Sequence, residues 1–319
     1  MALVDRVAHR LKLRDLRLLE TVVRWGSMAK ASSQLHLSQP AVSKAIAEME
    51  HLLGVRLIER GRQGVEPTPH GRVLLKRGVA IFDELRQGVA EIEFLSDPNV
   101  GEVHVSASEP ITAGLLPNLI AEFSRRYPKI SIYVTQVPIL GLQAQSPQYH
   151  DLRERNVDMV LGPIFDPILE EDLAAEPLFS ESSVVAVGTK SKWARLRSLR
   201  LADLVDEPWC LQPPNTRAGA SHIEGFQSSG LDIPRKRVFS NSVQTQIGLL
   251  GSQRYLTIFP NSLLRFGGRR LSIKALPIKL PIKPWDVGVI TLKRRSISPA
   301  VQRFVEMARQ IAKPLEKLV

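Results

Sequence analysis

Three polar side chains, Gln39, Ser43 and Lys44, stand on one side of a segment whose apolar residues Val42, Ile46, Met49 and Leu53 recur at helical spacing on the other. A glutamine so placed can pair bidentately with adenine, serine and lysine reach base edges or phosphates, and Pro40 offers an apolar surface to a thymine methyl. That chemistry is hydrogen bonding to base edges, not bond breaking. Catalytic patterns are weak by comparison. Ser27-Met28-Ala29-Lys30 has the Ser-x-x-Lys spacing of serine acyltransferases, but Ser27 falls where a helix needs its cap. No phosphate loop, dinucleotide glycine fingerprint or nucleophile elbow occurs. The histidines His9, His36, His51, His70, His104, His150 and His222 lack ligand spacing, so no metal, cofactor or catalytic residue is expected.

The flanking residues supply the support such a surface needs. Ser27 caps a first helix that Leu35 closes, and Ala29 and Ala31 are small enough for close helix approach. After His36-Leu37, Ser38 caps the next helix, where Pro40 lies in the first turn and its missing N–H costs nothing. Leu16, Leu19, Val22 and Val23 mark a preceding helix ending at Gly26, and Gly54 ends the reading helix. Extended runs at 56–60 and 65–68 flank Gly61-Arg62-Gln63-Gly64, a hairpin whose Arg60 and Arg62 can reach a flanking backbone or the minor groove. Together these elements predict a winged helix-turn-helix that reads double-stranded DNA.

Thr68-Pro69 opens a long helix to about Leu95, and Asp97-Pro98 stops it. Leu75, Phe82, Leu85, Val89 and Ile92 fit a heptad seam interrupted by Gly78, which implies dimerisation; packing on its own domain is the alternative. Beyond Gly101 strands (103–107, 130–136, 159–161) alternate with helices (111–127, 149–155). A second series has strands at 184–187, 209–211, 237–239 and 256–259 and helices at 218–228 and 243–250, before a last strand at 287–292 and a helix at 299–311. Such alternation predicts parallel sheets in two α/β lobes, and the lack of a Gly- or Ser-rich linker between them favours a cleft.

Charge divides along the chain. Residues 1–82 carry 14 basic and 7 acidic side chains, 83–264 carry 16 and 22, and 265–319 carry 13 and 3. The first basic stretch coincides with the DNA reader, where phosphate attraction explains it. In the second, Arg265, Arg269, Arg270, Lys274, Lys279 and Lys283 read as a solvated face, with DNA contact or an acidic partner as alternatives. The chain has 319 residues with 44% hydrophobic and 24% charged, ordinary for a globular protein with two or three domains. No apolar run is long enough to span a membrane and residues 1–6 lack a secretory core, so a cytoplasmic protein with no membrane partner is expected. The single cysteine, Cys210, excludes an intrachain disulfide and reads as a small buried apolar residue, a sensor thiol being the alternative.

From about Leu13 to the final helix the chain resembles the LysR-type transcriptional regulators. The run from Ala31 to Ile46 (Ala-Ser-Ser-Gln-Leu-His-Leu-Ser-Gln-Pro-Ala-Val-Ser-Lys-Ala-Ile), then Leu53-Gly54-Val55-Arg56-Leu57-Ile58-Glu59-Arg60 and Thr68-Pro69-His70-Gly71, is similar to that family's pattern position by position. The resemblance implies an α/β multidomain chain: a winged helix-turn-helix at 1–68, a linker helix at 69–97 pairing with a second subunit, and an effector domain at 98–319. That domain would resemble type 2 periplasmic binding proteins, with lobe I at 100–167 plus 285–319 and lobe II at 168–284. It further implies a homotetramer, an inverted DNA repeat with a weaker second site, a small-molecule effector, and altered RNA polymerase recruitment. A solute-binding protein is the rival that the effector half alone would allow, and the DNA reader argues against it.

By residue, Gln39, Pro40, Ser43 and Lys44 match the family's DNA-contacting positions and Arg60 and Arg62 its wing; the caps Ser27 and Ser38 join this set. Family effectors bind at the end of the first effector strand, here Ser106-Ala107-Ser108-Glu109-Pro110, and at helix starts facing the cleft. Ser106, Ser108, Thr112, Pro163, Gln212, Ser242 and Thr245 are the candidates, with simple capping or turn roles as the alternative. Gln253-Arg254-Tyr255 and Arg155-Asn156-Val157 replace glycine-containing turns common in the family, and Glu109 would oppose an anion unless protonated or turned away.

Overall fold

The computed structural model describes residue 7 and residues 9–61, 64–137, 149–164 and 171–316. The Arg62 expectation lies outside the described residues. The chain forms two compact units, Met1–Arg86 and Gln87–Val319.

In the first unit, α1 (Leu13–Trp25) ends where Gly26 turns left-handed at φ 59°. The Ser27 Oγ accepts from the Lys30 N–H at 3.4 Å to start α2 (Met28–Leu35), and His36 closes that helix at φ 53°. The Ser38 Oγ accepts from the Ala41 N–H at 3.3 Å to start α3 (Gln39–Leu53), which Gly54 ends. Leu19, Val22, Ala31, Val42, Ile46 and Met49 pack between the three helices. Because Ser38 satisfies a first-turn donor, Ser38→Ala is expected to destabilise this unit by about 1 kcal/mol, measured as a lowered thermal midpoint.

The wing consists of β1 (Ile58–Gly61) paired antiparallel with β2 (Gly64–Pro67). Its position is fixed from two sides. Glu50 of α3 accepts through Oε1 from the Leu57 and Ile58 N–H groups, at 2.7 and 3.3 Å. The Val65 N–H donates to the Gly26 carbonyl at 2.9 Å, and a side chain at Gly64 would stand 2.5 Å from that oxygen. The long helix α4 (Pro69–Ser96) begins with Thr68, whose Oγ1 accepts from the Gly71 N–H at 3.0 Å and donates to the Arg56 carbonyl at 2.7 Å. Any Cβ at Gly71 would lie 1.9 Å from the Leu57 carbonyl oxygen, so Thr-Pro-His-Gly is a helix start that also permits close approach to the wing.

The expected seam on α4 divides. Leu75 joins the winged core, and the Arg17 guanidinium sits 5.4 Å over the Phe82 ring. Leu85, Val89 and Ile92 are exposed, and so are Ile81 and, at 82%, Leu95.

The second unit runs β3 (Gly101–Ala107), α5 (Glu109–Ala113), α6 (Leu115–Arg126), β4 (Ile130–Gln136), α7 (His150–Arg153), β5 (Met159–Ile164) and β6 (Leu173–Glu181). It continues with β7 (Ser183–Gly188), β8 (Trp209–Leu211), α8 (Arg217–Ser228), β9 (Arg237–Phe239), α9 (Val243–Gly251) and β10 (Leu256–Pro260). The last elements are α10 (Asn261–Leu271), β11 (Ile273–Ala275), β12 (Trp285–Leu292) and α11 (Pro299–Glu316). One sheet has the order β4-β3-β5-β12-β6, the other β11-β7-β10-β8-β9. Both are mixed, not parallel as expected: β12 runs antiparallel to β5 and β6, and β7 antiparallel to β10 and β11. Edge-on Phe123 and Phe304 centre the first core, edge-on Trp209 and Phe226 the second.

Two further expectations are corrected. The helix expected over 111–127 is two helices broken at Gly114, where a Cβ would meet the Leu263 Cα at 2.8 Å. The first sheet contains β6, so residues 173–181 belong to lobe I and the crossing to lobe II falls between Glu181 and Ser183. Pro177 disguised that strand; it lies on an edge beside a register shift, where a missing N–H is tolerated. The departures from family turns also acquire a geometry. Arg155 and Gln253 take the left-handed conformation themselves, at φ 59° and 63°. Gln253 offsets this with its side chain, which accepts from the Lys190 N–H at 2.9 Å and donates to the Gly251 carbonyl at 3.0 Å.

Candidate DNA interface and effector cleft

On α3 the apolar residues Val42, Ile46 and Met49 are buried, while Gln39, Pro40 and Lys44 are exposed and Ser43 half-buried. The Arg60 guanidinium, from the wing, donates to the Ser43 Oγ at 3.1 Å. That bond uses an acceptor site of the hydroxyl and leaves its proton available to a base or phosphate oxygen. Lys44 lies 3.9 Å from Glu48 on the next turn, an exposed pair that competes only weakly with a phosphate. Ser27 and Ser38 both bond to backbone N–H groups as helix caps. Sequence reasoning missed Glu50, although it anchors the wing's base to the helix; a carboxylate on a half-buried helix face next to a strand was the available signal.

In the second unit a cleft of about 610 Å³ opens between the lobes. Both crossings line it: Glu181 and Ser183 on one, Lys283, Pro284 and Trp285 on the other. Of the candidates, Ser108, Pro163 and Gln212 line the cleft. The other four do not, and each has a local role or position that explains why. The Ser106 Oγ donates to the Thr135 carbonyl at 3.5 Å inside the sheet, and the Thr112 Oγ1 to the Glu109 carbonyl at 2.8 Å. Ser242 caps α9, accepting from the Thr245 N–H at 3.2 Å, while Thr245 is exposed on that helix. Asn241 and Val243 on either side of Ser242 do line the cleft, so the start of α9 faces it while the Ser242 hydroxyl is taken up by the cap.

Glu109 lines the cleft, and its Oε1 accepts from the Ser242 hydroxyl and the Gln244 N–H, each at 3.4 Å, joining lobe I to the start of α9 in lobe II. Elsewhere the lobes meet where Arg270 donates to the Ala113 carbonyl at 2.7 Å and Asn118 to the Phe266 carbonyl at 3.4 Å. The cleft's charged groups are ones the candidates omitted, namely Glu109, Glu181, Arg217, Lys283 and Asp286. Lys283 is exposed while also lining the cleft, and the exposed Lys274 donates to the Ala194 carbonyl at 2.7 Å. His222, on α8, also lines the cleft, and burial pushes its imidazole down to about 4, so it is neutral at neutral pH. Cys210 is buried in β8 with its thiol pushed up to about 11, far from the thiolate character a redox sensor needs. Among the described residues no group of His, Cys, Asp or Glu could hold a metal, and no helix is long and apolar enough to cross a membrane.

A winged helix-turn-helix followed by a two-lobed α/β domain with a polar cleft defines a DNA-binding transcriptional regulator with a substrate-binding domain. Residues 13–72 match the bacterial regulatory helix-turn-helix protein, lysR family, and residues 96–313 the LysR substrate binding domain. The chain belongs to the LysR family. It is 30% identical over 302 residues to the HTH-type transcriptional regulator TdcA of Escherichia coli strain K12, covering 94% of this chain and 93% of TdcA. The transcriptional dual regulator GltC of Bacillus subtilis is 26% identical over 317 residues, covering 96% of this chain and 99% of GltC. In fold it is similar to CbnR complexed with its target DNA, with a TM-score of 0.62 at 22% identity over 94% of this chain and 100% of that one. A full-length OxyR variant from Pseudomonas aeruginosa aligns with a TM-score of 0.61 at 21% identity, over 95% of this chain and 98% of that one.

Proposed function

We propose that this regulator reads promoter DNA through Gln39, Pro40, Ser43 and Lys44 of α3, with Arg60 and Arg62 of the wing flanking them. Ser27 and Ser38 hold the helix starts at the same surface. The carrying observation is the bond between Arg60 and Ser43, which joins wing and reading helix into one polar face. The division of labour is a DNA reader to residue 68, a linker helix over 69–97 and an effector domain from 98 onward. The protein is a cytoplasmic regulator without catalytic activity, and filling its cleft changes how RNA polymerase is recruited. It assembles as a homo-oligomer, a dimer through α4 and then a tetramer. The exposed Ile81, Leu85, Val89, Ile92 and Leu95 support that pairing, since leaving them in water forfeits the free energy of burying several large side chains.

Ser108 tests the cleft. It precedes α5, its hydroxyl makes no capping bond to that helix, and it faces Gly162 across the cleft wall. Ser108→Trp is expected to fill this end of the cleft and abolish any metabolite-induced change in DNA affinity. A fluorescence-anisotropy titration with and without the metabolite checks it, and a normal response places the effector elsewhere.

A further inference from the structure

Two residues that line the cleft carry buried polar atoms without partners among the described residues. Glu181 is 3% exposed at the end of β6 and lines the cleft; its Oε1 accepts from the Ser182 and Ser262 N–H groups at 3.0 and 3.2 Å. Its Oε2 has no hydrogen-bond partner in good geometry among the described residues, and the Ser262 hydroxyl, likewise unpartnered, is the neighbour that favours its charged form. Across the cleft His222 is 6% exposed, and its Nδ1 is likewise unpartnered among them. Buried orphan atoms of this kind are costly unless something else satisfies them.

The surroundings of Glu181 specify what that is. Ser262 lies in the first turn of α10, an 11-residue helix, so the carboxylate sits where N–H groups and the helix dipole favour its charged form. Burial works against that charge and pushes the carboxyl above its ordinary range. A cation at Oε2 would restore the balance. Trp285 stands directly opposite Glu181 in the β12–β6 pairing and also lines the cleft, offering an aromatic surface to the same cation. The start of α8 also contributes to the lining, which elsewhere carries Glu109, Lys283 and Asp286. Thr216, Arg217 and Ala218, the first turn of the 12-residue α8, line the cleft, together with Ser108. First-turn N–H groups suit a carboxylate.

We propose that the effector is a small amino-acid-class zwitterion whose ammonium pairs with Glu181 and whose carboxylate faces the first turn of α8. This rests on the cleft being the effector site. Glutamine at 181 can still accept from Ser182 and Ser262, but it presents an N–H₂ donor where the orphan oxygen was, so an ammonium meets a donor instead of an acceptor.

The test screens full-length protein against the proteinogenic L-amino acids by thermal shift, then measures dissociation constants for those that stabilise it and for their 2-hydroxy-acid analogues. At least one amino acid should bind, its hydroxy-acid analogue should bind about tenfold to a hundredfold more weakly, and Glu181→Gln should weaken the amino acid by a similar factor. Failure of every amino acid to bind at millimolar concentration overturns the proposal. Equal binding of the hydroxy acids overturns it too, and that comparison needs no variant. Ser108→Trp separates the two readings: if it abolishes binding that does not depend on the amino group, the cleft stands and the role of Glu181 falls. If binding survives Ser108→Trp, the cleft assignment falls with it.

Discussion

Replacing Arg295 with methionine is expected to destabilise the effector unit by about 3–5 kcal/mol, because it strands a buried carboxylate. The guanidinium donates to the Asp158 Oδ1 at 3.0 Å and to the Val157 carbonyl, and both side chains are almost wholly out of water. The Asp158 Oδ2 meanwhile accepts from the His104 N–H at 2.9 Å, so this pair ties the start of β5 to the middle of β3. Without Arg295 the charge stays buried with half its partners gone. The urea midpoint followed by tryptophan fluorescence should fall sharply, and Asp158→Asn in the same chain should recover part of the loss by removing the stranded charge. A midpoint within experimental error of the parent contradicts this account of the pair.

The double substitution Ser43→Ala and Lys44→Ala is expected to weaken specific DNA binding by about 100-fold, since each lost base or phosphate contact is worth about 1–3 kcal/mol. Neither side chain belongs to the buried stripe of Val42, Ile46 and Met49, so α3 should remain folded, as far-ultraviolet circular dichroism would report. Removing Lys44 should also flatten the dependence of log affinity on log salt by about one unit. Unchanged affinity in the double variant rules out α3 as the reading helix.

The winged unit was legible because its signals are local. Ser27, Ser38, Pro40, Gly26 and Gly54 each announce a helix boundary through their own backbone chemistry, and the structure places each at such a boundary. Even Gly71 has a local sequence context, although the carbonyl it avoids belongs to Leu57. The effector half was less legible because its decisive features are long-range. Pro177 hides an edge strand, and the Gly267-Gly268 pair hides α10, where small residues admit the Ala113 carbonyl and the turn into β11. The cleft suffered most. Its charged residues come from α5, both crossings, the start of α8 and β12, and only the return of β12 to the first sheet brings Glu181 opposite Trp285. The seam on α4 divided for a similar reason: Leu75 and Phe82 share the periodicity of Leu85, Val89 and Ile92, and only packing on α1 and its neighbours distinguishes them.

The most direct measurement is an anisotropy titration of the full-length protein against DNA from upstream of its own gene, with unrelated DNA of equal length beside it, at two salt concentrations. Specific binding tighter than the unrelated duplex by about a thousandfold or more, falling steeply with salt, is the predicted result. Equal affinity for the two duplexes would contradict sequence reading by α3 and the wing.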